Sequence, residues 1–123
     1  MVAPLQKHKE PQHVENEAES QLKEAARLFG IFSEPARLKI LRLLRDGARC
    51  GRDLAKDLKL TPATTCHHLE RLKLANLLSE KRSGKHIYYS IVDSELAQAL
   101  ERSIEALHGH AGPDEKAGVQ GDS

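Results

Sequence analysis

Thr61-Pro62-Ala63-Thr64-Thr65-Cys66-His67-His68-Leu69 is the stretch on which the fold turns. A threonine before a proline marks a helix start, since the hydroxyl caps unpaired backbone N–H groups and the ring presets the first turn. Thr65, Leu69 and Leu72 recur at helical spacing and predict the buried stripe, which leaves Thr64, His67, His68 and Arg71 to point elsewhere. Asn76 falls where such a helix would exit through a left-handed residue, a conformation asparagine tolerates. Next comes Lys81-Arg82-Ser83-Gly84-Lys85-His86-Ile87-Tyr88-Tyr89, which predicts a hairpin with a basic tip. Its strands lie at 77–82 and 85–92 and turn through Ser83-Gly84.

Upstream, the apolar spacing predicts three more helices. Leu22, Ala25, Phe29 and Phe32 share one face of a helix over roughly 15–31. Ser33-Glu34-Pro35 supplies an N-cap, an acid and a first-turn proline for a second helix that ends at Asp46-Gly47. Leu38, Leu41 and Leu44 face inward on it, and Arg37, Arg42 and Arg45 outward. A short helix covers 52–58, and Leu96, Leu100, Ile104 and Leu107 mark a last one over 93–108. The fold class is therefore mainly α with a small β-hairpin: about five helices plus a wing, packed as a winged helix-turn-helix. The ordered domain is expected at 15–109. Residues 1–14 and 110–123, polar and rich in Pro or Gly, are expected to be a disordered arm and tail.

Charge is uneven along the 123 residues. Residues 20–110 hold 16 Lys and Arg against 11 Asp and Glu, a net of +5, while 1–19 and 111–123 each carry −2. A basic middle between acidic ends suits a phosphate-bearing partner, although many domains without that role share such a balance. No apolar run reaches the ~18–20 residues of a membrane span, and the first ten residues lack the apolar block of a secretory signal. Two cysteines 16 positions apart make no disulfide framework, so the reducing cytoplasm is the expected compartment. With no Trp, two Phe and two Tyr, the core must be built from Leu, Ile and Ala; it is small, and dimerisation would enlarge it.

A helix that reads a DNA major groove needs short hydrogen-bonding side chains near its N-terminus, and Thr61, Thr64, Cys66, His67 and His68 meet that need. Its free N–H groups favour phosphate. Arg82 and Lys85 are placed to touch the backbone or enter a narrow minor groove. A solvated basic turn on an unrelated helical domain is the plainer interpretation. Double-stranded DNA is the expected partner, and a winged-helix module that binds a protein through the same helix is the alternative. No catalytic constellation is visible. Cys66 and His67 are neighbours, about 100° apart around a helix, and so poorly placed as nucleophile and base.

Leu28-Phe29-Gly30-Ile31-Phe32-Ser33-Glu34-Pro35-Ala36-Arg37-Leu38-Lys39-Ile40-Leu41 resembles the second-helix signature of the ArsR/SmtB winged-helix repressors. The stretch 61–69 resembles their recognition helix and Gly84-Lys85-His86-Ile87-Tyr88-Tyr89 their wing, so the likeness covers about 20–108 in one order. It implies a homodimer joined through the first and last helices, an operator with an imperfect inverted repeat, and release by an effector. Two positions depart from the pattern: Thr65 stands where Val is usual, and Cys66 where a DNA-contacting Ser is common.

The resemblance leaves the effector open. Cys50 has no cysteine neighbour for an arsenite thiolate set. Cys50 and Asp53, with His8 and His13 from the arm, resemble the third-helix site of zinc sensors and would satisfy tetrahedral zinc. The same residues have plainer uses: Asp53 complements a helix start and Cys50 fills core. For the family's last-helix metal site, Asp93 matches the first ligand, Glu95 stands where His is expected, and His108 and His110 are out of register. Zinc or a similar divalent ion is the one cofactor raised. The other routes of control left open are thiol oxidation at Cys50 or Cys66, an organic ligand, a protein partner, or no effector beyond the repressor's own concentration.

Overall fold

In a computed structural model, residues 2–110 are described, with side chains from residue 16 onward. Five helices and three short strands follow one another: α1 (Val2–Phe32), α2 (Pro35–Leu43), β1 (Arg49–Cys50), α3 (Gly51–Leu58), α4 (Pro62–Leu74), β2 (Leu78–Ser83), β3 (His86–Ile91) and α5 (Ser94–His110). Helix α2 lies at the centre. Ile40 is fully buried, and Leu41 and Leu44 pack with Leu54 of α3, Leu69 and Leu72 of α4, and Tyr89 of β3. Each such leucine contributes about 1.5–3 kcal/mol by leaving water. The expected fold class, with its helix order and wing, is the one observed.

Several local expectations are corrected. Helix α1 begins at Val2, within the stretch expected as a disordered arm; Leu5, Gln6, Lys7, Lys9 and Glu10 are good helix formers, a signal that apolar spacing does not register. Helix α5 continues to His110, and residues 111–123 of the expected tail lie outside those described. Glu34, not Ser33, occupies the N-cap position of α2, because the Ser33 hydroxyl donates back to the Gly30 carbonyl at 2.6 Å and closes α1 instead. Arg37, expected outward, is buried. Strand β1 has no counterpart among the expected elements: two residues are too few to show alternation, and only pairing with Tyr88 and Tyr89 makes them a strand. The sheet order is β1-β3-β2, all antiparallel.

The wing turn is displaced by one residue. Ser83 pairs with His86, so the two loop residues are Gly84 and Lys85. Gly84 takes φ +65°, which suits glycine at the first position of such a turn. The exit from α4 is as expected. Asn76 has φ 64°, its N–H donates to Lys73 O at 2.9 Å, and the Leu77 N–H reaches Leu72 O at 3.0 Å. This pair of bonds closes the helix and aims the chain into β2. On the opposite side, Arg42 of α2 grips Glu101 of α5 through two bonds of 2.8 and 3.0 Å, which helps hold Glu101 below the usual carboxylate range.

Candidate nucleic-acid interface

Helix α4 presents two distinct faces. Thr65, His68, Leu69 and Leu72 are buried, whereas Thr64, Cys66, His67 and Arg71 are exposed. Thr64, His67 and Arg71 are separated by three and four residues and so stand in one row along the helix. Thr61 is its N-cap. Its hydroxyl accepts from the Thr64 N–H at 3.1 Å and donates to the Thr64 hydroxyl at 2.9 Å, which presets both side chains at the helix start. The acidic residue of this helix, Glu70, lies in its second half. There Lys73 bridges it at 3.8 Å and Glu80 of β2 at 3.3 Å. The positive end of the helix dipole therefore faces solvent without a carboxylate beside it.

Arg82 of β2 and Lys85 of the turn are exposed on the wing. Lys85 shares a groove with Pro62 and Cys66 of α4, so the wing tip and the start of this helix flank one concave surface. Tyr89 packs inside it, its ring edge within 3.5 Å of where a side chain at Gly51 would begin. Burial, aided by nearby Glu80, Cys66 and Glu70, pushes the Tyr89 phenol above its ordinary value.

His68 is the corrected member of the expected set. It lies in the protein interior, where its Nδ1 accepts from Arg37 Nε at 3.2 Å; Arg37 Nη1 donates in turn to the Ile31 carbonyl at 3.1 Å. Position explains this. His68 is three residues after Thr65 and one before Leu69, inside the apolar stripe, and only a buried donor on α2 makes an imidazole tolerable there. Desolvation first, then the Arg37 charge, lowers its pKa, with smaller opposition from Glu34 and small additions from His67 and Arg71. Sequence pattern misses Arg37 because an arginine every few residues on a helix reads as a solvated face.

Among the described residues, those raised for metal binding are not gathered by one chain. Cys50 is buried at the end of β1 and Asp53 is exposed in the first turn of α3, while the side chains of His8 and His13 lie outside those described. Asp93 caps α5, its Oδ1 accepting from the Leu96 N–H at 3.1 Å. Glu95 sits beside it, but His108 and His110 stand at the other end of that helix, roughly 20 Å away by helical rise. Among the described residues no three His, Cys, Asp or Glu side chains converge on a point that could hold a metal ion. Nor is any described helix long and apolar enough to cross a membrane.

Comparison with known proteins agrees with this geometry. Residues 34–80 match the model of a bacterial regulatory protein family, the arsR family. The chain is 36% identical over 73 residues to the transcriptional repressor SdpR of Bacillus subtilis, covering 59% of this chain and 81% of that protein. It is 32% identical to a homologue of the cadmium resistance transcriptional regulatory protein CadC from Staphylococcus aureus, over 66% of this chain and 68% of the relative. Among solved structures, the homodimeric winged helix-turn-helix DNA-binding domain of Mb0332 from Mycobacterium bovis superposes with a TM-score of 0.64 at 28% identity, over 74% of this chain and 86% of that one.

Proposed function

The chain belongs to the ArsR family of bacterial regulatory proteins, and from that premise we propose that it acts as a homodimeric repressor on an inverted repeat in double-stranded DNA, released by an effector. The observation that carries the proposal is the exposed row Thr64, His67 and Arg71 on a capped helix N-terminus, set beside a basic wing. Helix α4 enters the major groove, where these side chains meet base edges; Arg82 and Lys85 hold the flanking backbone. Cys66 adds a weak thiol donor next to the row.

Dimerisation is supported by what one chain leaves uncovered. Leu22 and Phe29 on α1 are 70% and 69% exposed, Leu107 on α5 is 65% exposed, and α5 buries no residue fully. Apolar faces of this kind on two helices call for a partner. A second copy related by a two-fold axis would cover both and present two recognition helices to two half-sites. The solved structure of Mb0332 is described as homodimeric, in keeping with this assignment.

The test is fluorescence anisotropy of a labelled duplex from the chain's own upstream region, titrated at several salt concentrations, with sedimentation to fix the stoichiometry. Affinity should fall log-linearly with salt, by roughly 0.9 log units per decade for each phosphate neutralised. Binding indifferent to salt, or none, would instead favour the protein-binding module.

A further inference from the structure

We propose that the groove enclosed by α3, the start of α4 and the wing is a binding site for an organic anion: a carboxylate carried on an apolar chain or ring. The groove has a volume of about 910 Å³, within the range of small-molecule sites. Its lining divides by chemistry. Ala55, Leu60, Leu69, Ile87 and the ring of Tyr89 supply an apolar lining. Arg52, Lys56 and Lys59 from α3 and its exit, and Lys85 from the wing, supply four cations. No Asp or Glu lines the groove, and none of the four cations has a carboxylate partner among the described residues. Four like charges converging on one concavity repel each other, and an anion between them removes that repulsion.

A second observation lies deeper. Thr65 also lines the groove; it is 1% exposed, and its Oγ1 is buried without a hydrogen-bond partner. The hydroxyl is shut off from the groove in this arrangement, so an occupant completes it only by drawing the Thr65 side chain round toward the groove. Phosphate, whether free or in DNA, can satisfy the cations but cannot fill the apolar lining; an amphipathic anion does both. An occupant here stands between α4 and the wing, the two elements that grip DNA, so the anion and DNA would exclude one another. That consequence rests on the proposed function, whereas the site itself does not.

The experiment uses the full-length reduced protein with decanoate as probe, and reads iodoacetamide alkylation of Cys66, exposed on the groove wall, alongside calorimetric titration. Decanoate should bind saturably and slow Cys66 alkylation at least fivefold, whereas inorganic phosphate and decyltrimethylammonium should not. Lys56→Gln with Lys59→Gln, both at exposed positions, should weaken decanoate at least tenfold. Thr65→Val, which keeps the shape and removes the unpaired hydroxyl, should weaken it without loss of folding. Absence of saturable binding, equal protection by phosphate, or affinity unchanged in both variants would overturn the site. DNA titration of the unmutated protein separates the two proposals: operator binding without any saturable decanoate binding sinks only the groove, and decanoate binding without operator binding sinks only the repressor.

Discussion

The Arg37 guanidinium donates from Nε to Nδ1 of His68 across 3.2 Å, joining the central helix α2 to α4, the proposed recognition helix, inside the core. Because Nδ1 must accept, His68 is neutral with its proton on Nε2. Arg37 also donates to the Ile31 carbonyl near the end of α1, so one side chain ties the proposed recognition helix to a proposed dimer helix.

Acid should loosen this joint. The folded-state pKa of His68 lies below its ordinary value of about 6.5, so the unfolded chain takes up the proton first as pH falls. Its contribution to stability is full above the unfolded pKa and is lost progressively as pH drops from there through the folded value. Urea midpoints measured between neutral pH and pH 5 should show this slope. His68→Gln, which can still accept from Arg37 but does not titrate, should flatten it; an unchanged slope would show that other groups carry the acid sensitivity.

Removing the donor should cost more than a surface change. Arg37→Met leaves His68 Nδ1 and the Ile31 carbonyl buried without their partner, at about 1–3 kcal/mol for each stranded acceptor. Arg45→Met, on the exposed part of the same segment, should stay within ~0.5 kcal/mol of the wild type. Chemical denaturation of the two variants side by side checks the contrast.

Legibility in the sequence followed the range of the interaction. Thr61, Asn76 and the wing strands act through neighbours a few residues away, and local pattern sufficed for them. The burial of Arg37 and His68 depends on two residues 31 apart meeting in the core, which no periodicity encodes. Strand β1 exists only through its partner β3. The turn moved from Ser83-Gly84 to Gly84-Lys85 because Ser83 remains paired with His86, leaving glycine first in the loop. The exposed row of α4 was legible except at His68, and the groove cations Lys56 and Lys59 were not, since lysines at a helix end read as solvated.

Asn76 offers a backbone test that leaves every apolar contact in place. At φ 64° an alanine would sit in the left-handed region at a cost of about 1–2 kcal/mol, whereas glycine carries no such strain. Asn76→Ala should therefore lower the melting temperature, and Asn76→Gly should match or exceed the wild type. Equal losses in both variants would mean that the side chain, rather than the backbone conformation, is what matters.

Division of labour on DNA gives the sharpest check on the interface. Arg82 and Lys85 lie on the wing and are assigned to phosphates, so Arg82→Ala and Lys85→Ala should weaken operator and random duplex alike. Each should also reduce the salt slope by roughly one unit for every phosphate left without its cation. Thr64 and His67 project from the row assigned to base edges. Thr64→Ala or His67→Ala should cost about 1–3 kcal/mol on the operator but little on random DNA, with the salt slope kept. Because Thr64 also shares the cap hydrogen bonds with Thr61, His67→Ala is the cleaner of the two. Anisotropy titrations of each variant against both duplexes separate the outcomes. Were the wing variants to change sequence preference while the helix variants lowered all affinities equally, the two elements would have to exchange roles.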